Sequence, residues 1–406
     1  MSGSGRSPFT FSSEGLLPRE EKIAIEESHH TTSIGIPKEE TLQEHRVALI
    51  PHSVRTIVGQ GHKIVVERGA GKDSHYEDHE YSEAGAHILD SKEEVYDSSI
   101  IVKVAPPSME ELDLLKPDQI LISPLQIPII TPEYLDKLLS KRIIAIAMEY
   151  LQTEDGMFPM VRIMSEMAGL SAVLTAADLL CNNRGGRGAL LGGISGVPPT
   201  KVLILGAGVV GEYATRAALG LGAAVRIFDE DMHKLMRIQQ NIGRRLHTSA
   251  INSAYLEYQL LSADVVIGAI HSKTGRTNVV VTEEMVMKMK PGAVLVDVSI
   301  DQGGCFETSE VTSHAHPTFV KHGVIHYCVP NIASKISRTA SVAISNTITP
   351  ILLDTGKAGS IEQLLYSRAG LRNGVYCYKG RLTNEYLSKR FMKKFTDLDL
   401  LLTSGL

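Results

Sequence analysis

The sequence predicts an α/β protein of two doubly wound parallel sheets, which follow one another along the chain with a cleft between them. In both halves, short apolar runs typical of buried strands alternate with helix-forming segments. The runs of the first half lie at residues 33–36, 63–67, 100–104, 120–123 and 143–147. Those of the second half lie at residues 201–205, 224–228, 264–269 and 293–298. Open sheets of this kind bind ligands beside the ends of their strands, so the cleft is the expected functional site.

The composition is that of a globular protein and excludes several classes of function. With 406 residues, the chain is long enough for two domains that each have a hydrophobic core. Its net charge of −5 gives no signal for nucleic acid or for a membrane surface. The four cysteines are widely spaced, without a C-x-x-C pair, which predicts reduced thiols in a cytoplasmic protein and no metal site. No apolar run is long enough for a membrane span, so we expect neither a membrane nor a nucleic-acid partner.

The segments that flank and join the two halves carry separate signals. Residues 1–32 are rich in Ser, Gly, Glu and His, which is typical of a disordered tail. Residues 165–180 contain strong helix formers and no proline, and they predict a connecting helix that Ser165 caps. The glycine-dense residues 182–199 are typical either of a plain linker or of a functional loop.

We expect a first domain that the chain leaves and later re-enters. Two helical segments, residues 341–353 and 361–371, follow the last predicted strand and are placed to pack back onto the first sheet. The predicted units are the tail at residues 1–32, a first domain at residues 33–163 plus 340–406, and a second domain at residues 164–339.

The most specific motif follows the first strand of the second domain. Gly206, Gly208 and Gly211 have the G-x-G-x-x-G spacing between a strand and a helix-forming segment. The first glycine allows the tight turn, the second lets a pyrophosphate approach the backbone, and the third lets the helix pack closely on the strand. The first helical turn, which includes Val209 and Val210, would present free N–H groups to the anion. The motif therefore predicts a dinucleotide site in the second domain.

The acid at the end of the next strand selects the dinucleotide. Asp229 follows the apolar residues 225–228, about where a carboxylate must lie to hold a ribose 2′-hydroxyl. A carboxylate at this place would repel a 2′-phosphate. We therefore expect NAD as the cofactor and not NADP.

Six further segments carry a common signal: residues 35–39, 46–51, 164–169, 185–188, 296–307 and 326–331. Together they resemble one family, the alanine dehydrogenases, with the related N-terminal part of nicotinamide nucleotide transhydrogenase. The resemblance implies NAD-linked oxidative deamination of L-alanine to pyruvate and ammonia, and the reverse amination. It also implies a cytoplasmic homo-oligomer, often a hexamer, whose partners are a small amino acid and its 2-oxo acid.

The resemblance assigns roles to individual residues. Arg46 matches the family's carboxylate-binding arginine, and its planar fork suits bidentate capture of a carboxylate. Asp301 matches the catalytic aspartate and follows a strand of the second domain, near the edge where such sheets bind ligands. Ser165 matches a residue at the cofactor, and Asn331 matches one near the substrate and the nicotinamide. Asp297, inside the apolar strand, is predicted to be structural.

The sequence departs from the family at two expected positions. Gln126 stands where the family has a catalytic histidine, and glutamine can orient a group but cannot exchange a proton near neutral pH. Ala105 stands where the family has a substrate-binding lysine. Lys103 lies two residues earlier, on the same face of a predicted strand, and could take over that contact. For proton transfer, His271 and Lys273 are further candidates, with an ordinary polar loop as the alternative.

These departures leave several functions open. The first is an NAD-dependent dehydrogenase of alanine, and the second is a dehydrogenase of a different amino or imino acid. The third is an NAD-binding regulatory protein without turnover, and the fourth is a soluble transhydrogenase subunit. The retained Arg46, Asp301 and glycine motif favour an enzyme.

Overall fold

The structure, a computed structural model, describes residues 31–41, 43–272 and 275–404. Of the predicted tail, only residues 31 and 32 are among them, and Lys273 also lies outside the described residues. The described chain forms two sheets with helices packed on their faces. The predicted fold class, two doubly wound α/β domains, is confirmed.

The strands are short and occur in both halves of the chain. In order they are β1 (Ser33–Ile36), β2 (Lys63–Glu67), β3 (His87–Leu89), β4 (Ile100–Val102), β5 (Ile120–Ser123), β6 (Ile144–Ala147), β7 (Lys201–Leu205), β8 (Ala224–Asp229), β9 (His247–Ala250), β10 (Val265–Gly268), β11 (Val294–Asp297), β12 (Thr318–Lys321), β13 (Val324–Tyr327), β14 (Val375–Tyr378) and β15 (Arg381–Leu382).

The helices alternate with the strands until the C-terminal region. In order they are α1 (Pro51–Gly59), α2 (Asp78–Glu83), α3 (Lys92–Val95), α4 (Met109–Leu114), α5 (Pro132–Ser140), α6 (Pro159–Leu179), α7 (Val209–Gly220), α8 (Met232–Ile242), α9 (Ser253–Leu260), α10 (Glu283–Met287), α11 (Ser337–Ala358), α12 (Ile361–Ser367), α13 (Ala369–Arg372), α14 (Glu385–Phe391) and α15 (Leu398–Ser404).

Both sheets have the doubly wound strand order. The first runs β15-β14-β6-β5-β4-β1-β2-β3, and β14 pairs antiparallel with β6. The second runs β12-β13-β11-β10-β7-β8-β9, and only β12 is antiparallel to its neighbour. In each sheet the order reverses beside the first strand, between β1 and β4 or between β7 and β10. Ligands of such sheets bind at the carboxyl ends of the strands at this point.

The central strands of each sheet are buried on both faces, as parallel sheets covered by helices require, whereas the edge strands β3, β9 and β12 are partly exposed. In β7, Val202 and Ile204 pack into one apolar cluster, whereas Leu203 and Leu205 pack into another on the opposite face. This alternation follows from the period of two along a strand. The strand before the glycine motif is therefore a rigid core element.

Two long helices connect the domains. α6 passes close to α7, since a Cβ added at Gly169 would lie 2.4 Å from the Val210 carbonyl oxygen. α6 is also the one helix of the described chain that is long and apolar enough to cross a membrane. Half of that apolar stretch is buried inside the protein, and the core helix of a protein without a membrane span has the same length and composition.

The predicted domain boundaries at 163/164 and 339/340 fall inside α6 and α11.

The beginning of the connecting helix differs from the prediction. α6 begins at Pro159, six residues before the predicted cap at Ser165, which instead lies in the second turn. Proline is favoured in the first turn of a helix because its ring fixes φ and its missing N–H has no intrahelical partner there. At the C-terminus the chain returns to the first sheet, to which it contributes the strands β14 and β15, and not only helices.

Candidate active site

The glycine motif forms a tight turn whose outer side is open. Gly206 has a φ of +110°, and a Cβ added there would lie 2.2 Å from the Ala269 carbonyl oxygen. A Cβ at Gly211 would lie 1.8 Å from the Gly206 carbonyl oxygen. By contrast, a Cβ at Gly208 would meet no protein atom within 4 Å. The first and third glycines are thus required by the fold, while the second leaves space at the N-terminus of α7 that fits a pyrophosphate.

Asp229 holds the glycine turn in place from the end of β8. Its Oδ2 accepts a hydrogen bond of 2.7 Å from the Ala207 N–H, and its Oδ1 accepts one of 2.8 Å from the Asp231 N–H. The Lys234 ammonium lies 3.9 Å from Oδ2. Each carboxylate oxygen can accept a second hydrogen bond. The contact between Asp229 and the ribose therefore stays a prediction. The contacts of Asp229 with the backbone show in addition that it anchors the glycine turn, a role that the sequence did not indicate.

Arg46 lies on the first-domain side of the cleft and is clamped by a neighbouring acid. Its Nε and Nη2 donate to the two carboxylate oxygens of Glu44 at 2.7 and 2.6 Å. Both side chains are buried, with 7% and 1% of their surfaces exposed. The Nη1 group donates to the Met164 sulfur of α6 at 3.2 Å, a weak acceptor. Glu44 thus fixes the orientation of the guanidinium. The Nη1/Nη2 edge of Arg46 still has N–H groups that can donate to an anion.

The segment around Arg46 is held by serine hydroxyls that are distant in sequence, on α11 and on the turn before it. The Val47 and Ile50 N–H groups donate to the hydroxyls of Ser341 and Ser345 on α11, at 2.9 and 3.1 Å. The His45 N–H donates to Ser334 at 3.1 Å. This segment precedes α1 and forms no strand, so its buried N–H groups need such partners. The C-terminal region therefore positions Arg46.

Asp301 and Asn331 face Arg46 from the second domain. Asp301 lies in a short 3-10 helix, Val298–Gln302, and its Oδ1 accepts a 3.2 Å hydrogen bond from the Asn331 N–H. The Asn331 side chain donates to Glu44 Oε2 at 2.9 Å. Asp301, Asn331, Glu44 and Arg46 thus form one polar chain across the cleft. Asn331 has a φ of +55°, a conformation that asparagine adopts more readily than most residues.

The pKa values of the two acids in this chain move in opposite directions. Burial alone would raise the pKa of Glu44, but the charge of Arg46 and its hydrogen bonds outweigh it and lower that pKa. Asp301 is open to the cleft, yet the surrounding protein removes enough water to raise its pKa, which the Asn331 N–H and Arg46 only partly offset. A permanent anion therefore holds Arg46, while Asp301 is shifted toward a group that can exchange a proton.

A buried aspartate supports the turn that carries Asp301. Asp297 accepts hydrogen bonds from the Ser299 N–H, the Cys305 N–H and the Ser309 hydroxyl at 2.9, 3.0 and 2.6 Å. Its side chain is 1% exposed, and burial raises its pKa to about 6. These contacts support the prediction that Asp297 is structural.

Gln126 lies in the loop after β5 and has a strained backbone. Its φ is +45°, and both it and Leu125 donate their N–H groups to Glu149 Oε1, at 3.3 and 2.8 Å. Glu149 follows β6, so the two loops meet at the carboxyl edge of the first sheet. This edge also carries the segment after β1 that leads to Arg46. Gln126 thus lies at the same edge of the first sheet as the segment that carries Arg46.

Lys103 does not reach the cleft. Its ammonium lies 3.0 Å from a Glu39 carboxylate oxygen and 2.9 Å from one of Glu111, and its side chain is fully buried. Burial would lower its pKa, but the two carboxylates reverse this and raise it. β4 ends at Val102 and not at residue 104, so the strand alternation that placed Lys103 beside Ala105 does not extend to it. This position argues against the predicted substrate contact.

The remaining candidates, Ser165 and His271, lie at different parts of the cleft. Ser165 is next in sequence to Met164, which accepts a hydrogen bond from Arg46, so α6 brings it close to the site. His271 follows β10, and burial together with the charge of Lys234 lowers its pKa. Since Lys234 lies beside Asp229, His271 borders the predicted ribose side of the cleft. Glu44 is the main residue that sequence reasoning missed, although it stands only two positions before Arg46.

Two doubly wound domains, with a glycine turn and with Arg46 and Asp301 at the cleft, are typical of a dinucleotide-binding α/β protein. Residues 35–168 match the family described as alanine dehydrogenase/PNT, N-terminal domain, and residues 172–385 match its C-terminal domain. The chain belongs to this family.

Individual relatives agree with this membership. Alanine dehydrogenase 2 of Staphylococcus aureus (strain USA300) is 37% identical over 368 residues, which cover 90% of this chain and 98% of that protein. A solved L-alanine dehydrogenase is 37% identical, with a TM-score of 0.84 over 89% of this chain and 99% of its own. A transhydrogenase from Sinorhizobium meliloti is 25% identical, with a TM-score of 0.73 over 87% of this chain and 99% of its own. The sequence-based assignment to the family is confirmed.

Proposed function

We propose that this chain catalyses the NAD-linked, reversible oxidative deamination of L-alanine to pyruvate and ammonia. The observation that carries the proposal is the polar chain from Arg46 through Glu44 and Asn331 to Asp301, which crosses the cleft beside the glycine turn. A carboxylate-binding cation and an acid of raised pKa are what an amino-acid substrate requires at its two ends. The activity of the alanine dehydrogenase relatives supports the same assignment.

Arg46 would bind the substrate carboxylate. Glu44 occupies Nε and one Nη2 proton, so the Nη1/Nη2 edge can take both carboxylate oxygens in a bidentate pair. The contact with the Met164 sulfur is weak enough for a carboxylate to replace it. Fixing one end of the substrate in this way orients its α-carbon, which is a large part of the catalytic advantage of a bound substrate.

Asp301 would transfer the protons. In deamination, water adds to the iminium carbon, and the water must lose a proton as the C–O bond forms. The carboxylate of Asp301 can accept that proton, and its raised pKa makes the protonated form accessible, so that it can pass the proton to the amino group. As the C–N bond breaks and ammonia leaves, the same carboxylate can take the remaining hydroxyl proton, which gives the carbonyl of pyruvate. The Asn331 N–H holds one Asp301 oxygen in place at 3.2 Å. Gln126 would contribute only a hydrogen bond to the substrate.

NAD would be held by the glycine turn, by the N–H groups of Val209 and Val210 and by Asp229, with Ser165 nearby. When bound, NAD supplies the two-electron acceptor for the substrate carbon. The open side of Gly208 and the N-terminus of α7 fit its pyrophosphate, which supports this cofactor. We further propose a cytoplasmic homo-oligomer, a hexamer by analogy with the family, that acts on small molecules.

A different amino or imino acid is the second candidate. The specific observation that favours it is Ala105, which is fully buried and offers no charge where the family has a lysine. With Lys103 engaged by Glu39 and Glu111, Arg46 alone would bind the carboxylate. A site with one cation in place of two could accept another substrate.

The test follows NADH absorbance with NAD and a panel of L-amino acids, for the wild type, for D301N and for D118N. Asp118 is an exposed aspartate at the amino end of β5, and asparagine tolerates its φ of +63°. We expect turnover of alanine that D301N lowers by about 10²- to 10⁴-fold and D118N leaves unchanged. Activity on another amino acid alone would favour the second candidate, and NADH binding without any turnover would contradict both.

A further inference from the structure

A basic pocket lies at the amino ends of β7, β8 and β9, at the edge of the second sheet opposite the cleft. Its volume is about 340 Å³, within the range of small-ligand sites. Its polar wall consists of Lys201, Arg226, Arg244, Arg245 and His247. None of the described residues that line the pocket is acidic.

Within the described chain, no ion pair neutralises the lysine and the arginines of this pocket, in contrast to two cations on the same edge of the sheet. On the same edge of the sheet, Lys290 and Arg187 both pair with Asp264, at 2.7 and 3.7 Å. Within the described chain, Arg226, Arg244 and Arg245 make no ion pair, and the Lys201 ammonium donates only to the Ser262 hydroxyl at 3.0 Å. Because the whole chain carries a net charge of −5, this local excess is not a consequence of general basicity.

The loop that presents the two adjacent arginines is held at both ends. α8 ends at Gly243, whose φ of +70° reverses the chain. The Gln239 side chain then donates to the Arg244 carbonyl oxygen at 3.0 Å and accepts from the Leu246 N–H at 3.2 Å. Leu246 is buried and anchors the loop to the domain. The side chains of Arg244 and Arg245 are therefore exposed on a fixed backbone beside β8 and β9.

Four like charges around one concavity repel each other, and an anion between them would remove that repulsion. Arginine forks bind phosphate oxygens in bidentate pairs, and several cations together match more than one negative charge. The apolar part of the wall, which includes Leu219 and Val225, leaves room for an uncharged portion of the ligand. The pocket is too small and too isolated for a nucleic acid, which needs an extended basic surface.

We propose that this pocket is a second ligand site, which binds a small molecule carrying two or more phosphate groups. It is separate from the cofactor site because β7 runs from Lys201, at the pocket, to Leu205, next to the glycine turn. The inference does not depend on the proposed reaction. It assigns a binding function to an edge of the second domain that the amino-acid chemistry does not use.

The test measures binding of inorganic tripolyphosphate by calorimetry to the full chain saturated with NADH. NADH occupies the glycine turn, which could otherwise bind the same probe. The variant R244Q/R245Q removes two exposed cations of the pocket. The control R55Q/K357Q/K394Q removes three exposed cations of the first domain and so changes the net charge by at least as much.

We expect one saturable site per chain that weakens as salt is added. R244Q/R245Q should lower the affinity at least about tenfold, since each lost charged hydrogen bond is worth about that much. The control variant should bind like the wild type. Three results would overturn the proposal: no saturable binding, an equal loss of affinity in the control variant, or binding that appears only when NADH is absent.

Discussion

Replacing Glu44 with glutamine removes the anion that holds Arg46 while preserving its shape. The two carboxylate oxygens of Glu44 accept five hydrogen bonds, from Arg46 Nε, Nη2 and N, from Asn331 Nδ2 and from the Ser334 hydroxyl. Glutamine has only one oxygen, so its amide group would face donors. It would also leave a guanidinium that is 7% exposed without its paired carboxylate. Removing one partner of such a buried pair costs about 3–5 kcal/mol.

We therefore expect E44Q to unfold at a lower temperature, by about 6 °C or more, since 1 kcal/mol corresponds to about 2–4 °C for a domain of this size. The Michaelis constant for alanine should rise about tenfold or more, because the guanidinium loses its fixed orientation. The control is E40Q. Glu40 lies on the same segment, but its side chain is 55% exposed and it pairs with Lys92 at the surface, where the loss should stay below about 1 kcal/mol.

The pH dependence gives a second readout of the same pair. The folded protein lowers the pKa of Glu44, so its contribution to stability is present above the pKa of the unfolded chain. That contribution is lost as the pH falls through the lower, folded value. The wild type should therefore approach E44Q in stability as the solution is acidified below about pH 4. If E44Q instead melted like E40Q at pH 7 and kept its Michaelis constant, Glu44 would not be the residue that holds Arg46.

Four further predictions test separate parts of the structure. G208A should keep its melting temperature but lose at least about tenfold in NADH affinity, measured by fluorescence titration, because only the ligand would meet its Cβ; G211A should lose both. K103M should lose about 3–5 kcal/mol in denaturant unfolding with little change in the Michaelis constant, and the reverse pattern would restore Lys103 as a substrate ligand. Because burial raises the pKa of Asp297 to about 6, its contribution to stability is lost as the pH rises from about 4 through 6. The stability of the wild type relative to D297N should thus fall by about 2–3 kcal/mol over this range, and a constant difference would mean that Asp297 is always ionised. Q126H should raise kcat by up to about 10²-fold and add an ionisation near neutral pH; an unchanged pH profile would mean that this position takes no part in proton transfer.

Buried parallel strands and the glycine turn could be predicted from the sequence because their constraints are local. The apolar runs at residues 33–36, 63–67, 120–123 and 201–205 coincide with β1, β2, β5 and β7. Gly211 is required by its contact with Gly206, and the positive φ of Gly206 is itself a local constraint, although a Cβ there would also meet Ala269 after β10. In such cases the interactions that determine the structure involve mostly residues that are close in sequence.

Other features depend on partners that are distant in sequence. β12 alternates between half-buried and exposed residues at a sheet edge, and with four residues of mixed polarity it does not stand out from a loop. β14 is buried because β6, more than 200 positions earlier, pairs with it. Likewise, the serines of α11 accept hydrogen bonds from the Arg46 segment, which is almost 300 positions earlier, so their role cannot be predicted from the sequence around them.

The errors at the candidate site have the same origin. Lys103 has a plausible position along the chain, but its depth depends on Glu39 and Glu111, which close over it from other segments. Glu44 is adjacent to Arg46 in sequence, yet its role becomes visible only when the guanidinium lies on its carboxylate. The position of a residue along the chain therefore predicts whether it can reach the site. Whether its side chain does reach the site depends on tertiary contacts that the sequence does not show.

The most direct measurement is the fate of the hydrogen on the α-carbon of the substrate. L-alanine that carries deuterium at this carbon would be incubated with the protein and NAD, and the dinucleotide and pyruvate would be analysed by mass spectrometry. We expect one deuterium in each NADH formed and one pyruvate for each NADH, with both products lost in D301N. Bound NAD that stays oxidised and unlabelled, with no pyruvate formed, would contradict the assignment of this cleft as the site of an alanine dehydrogenase.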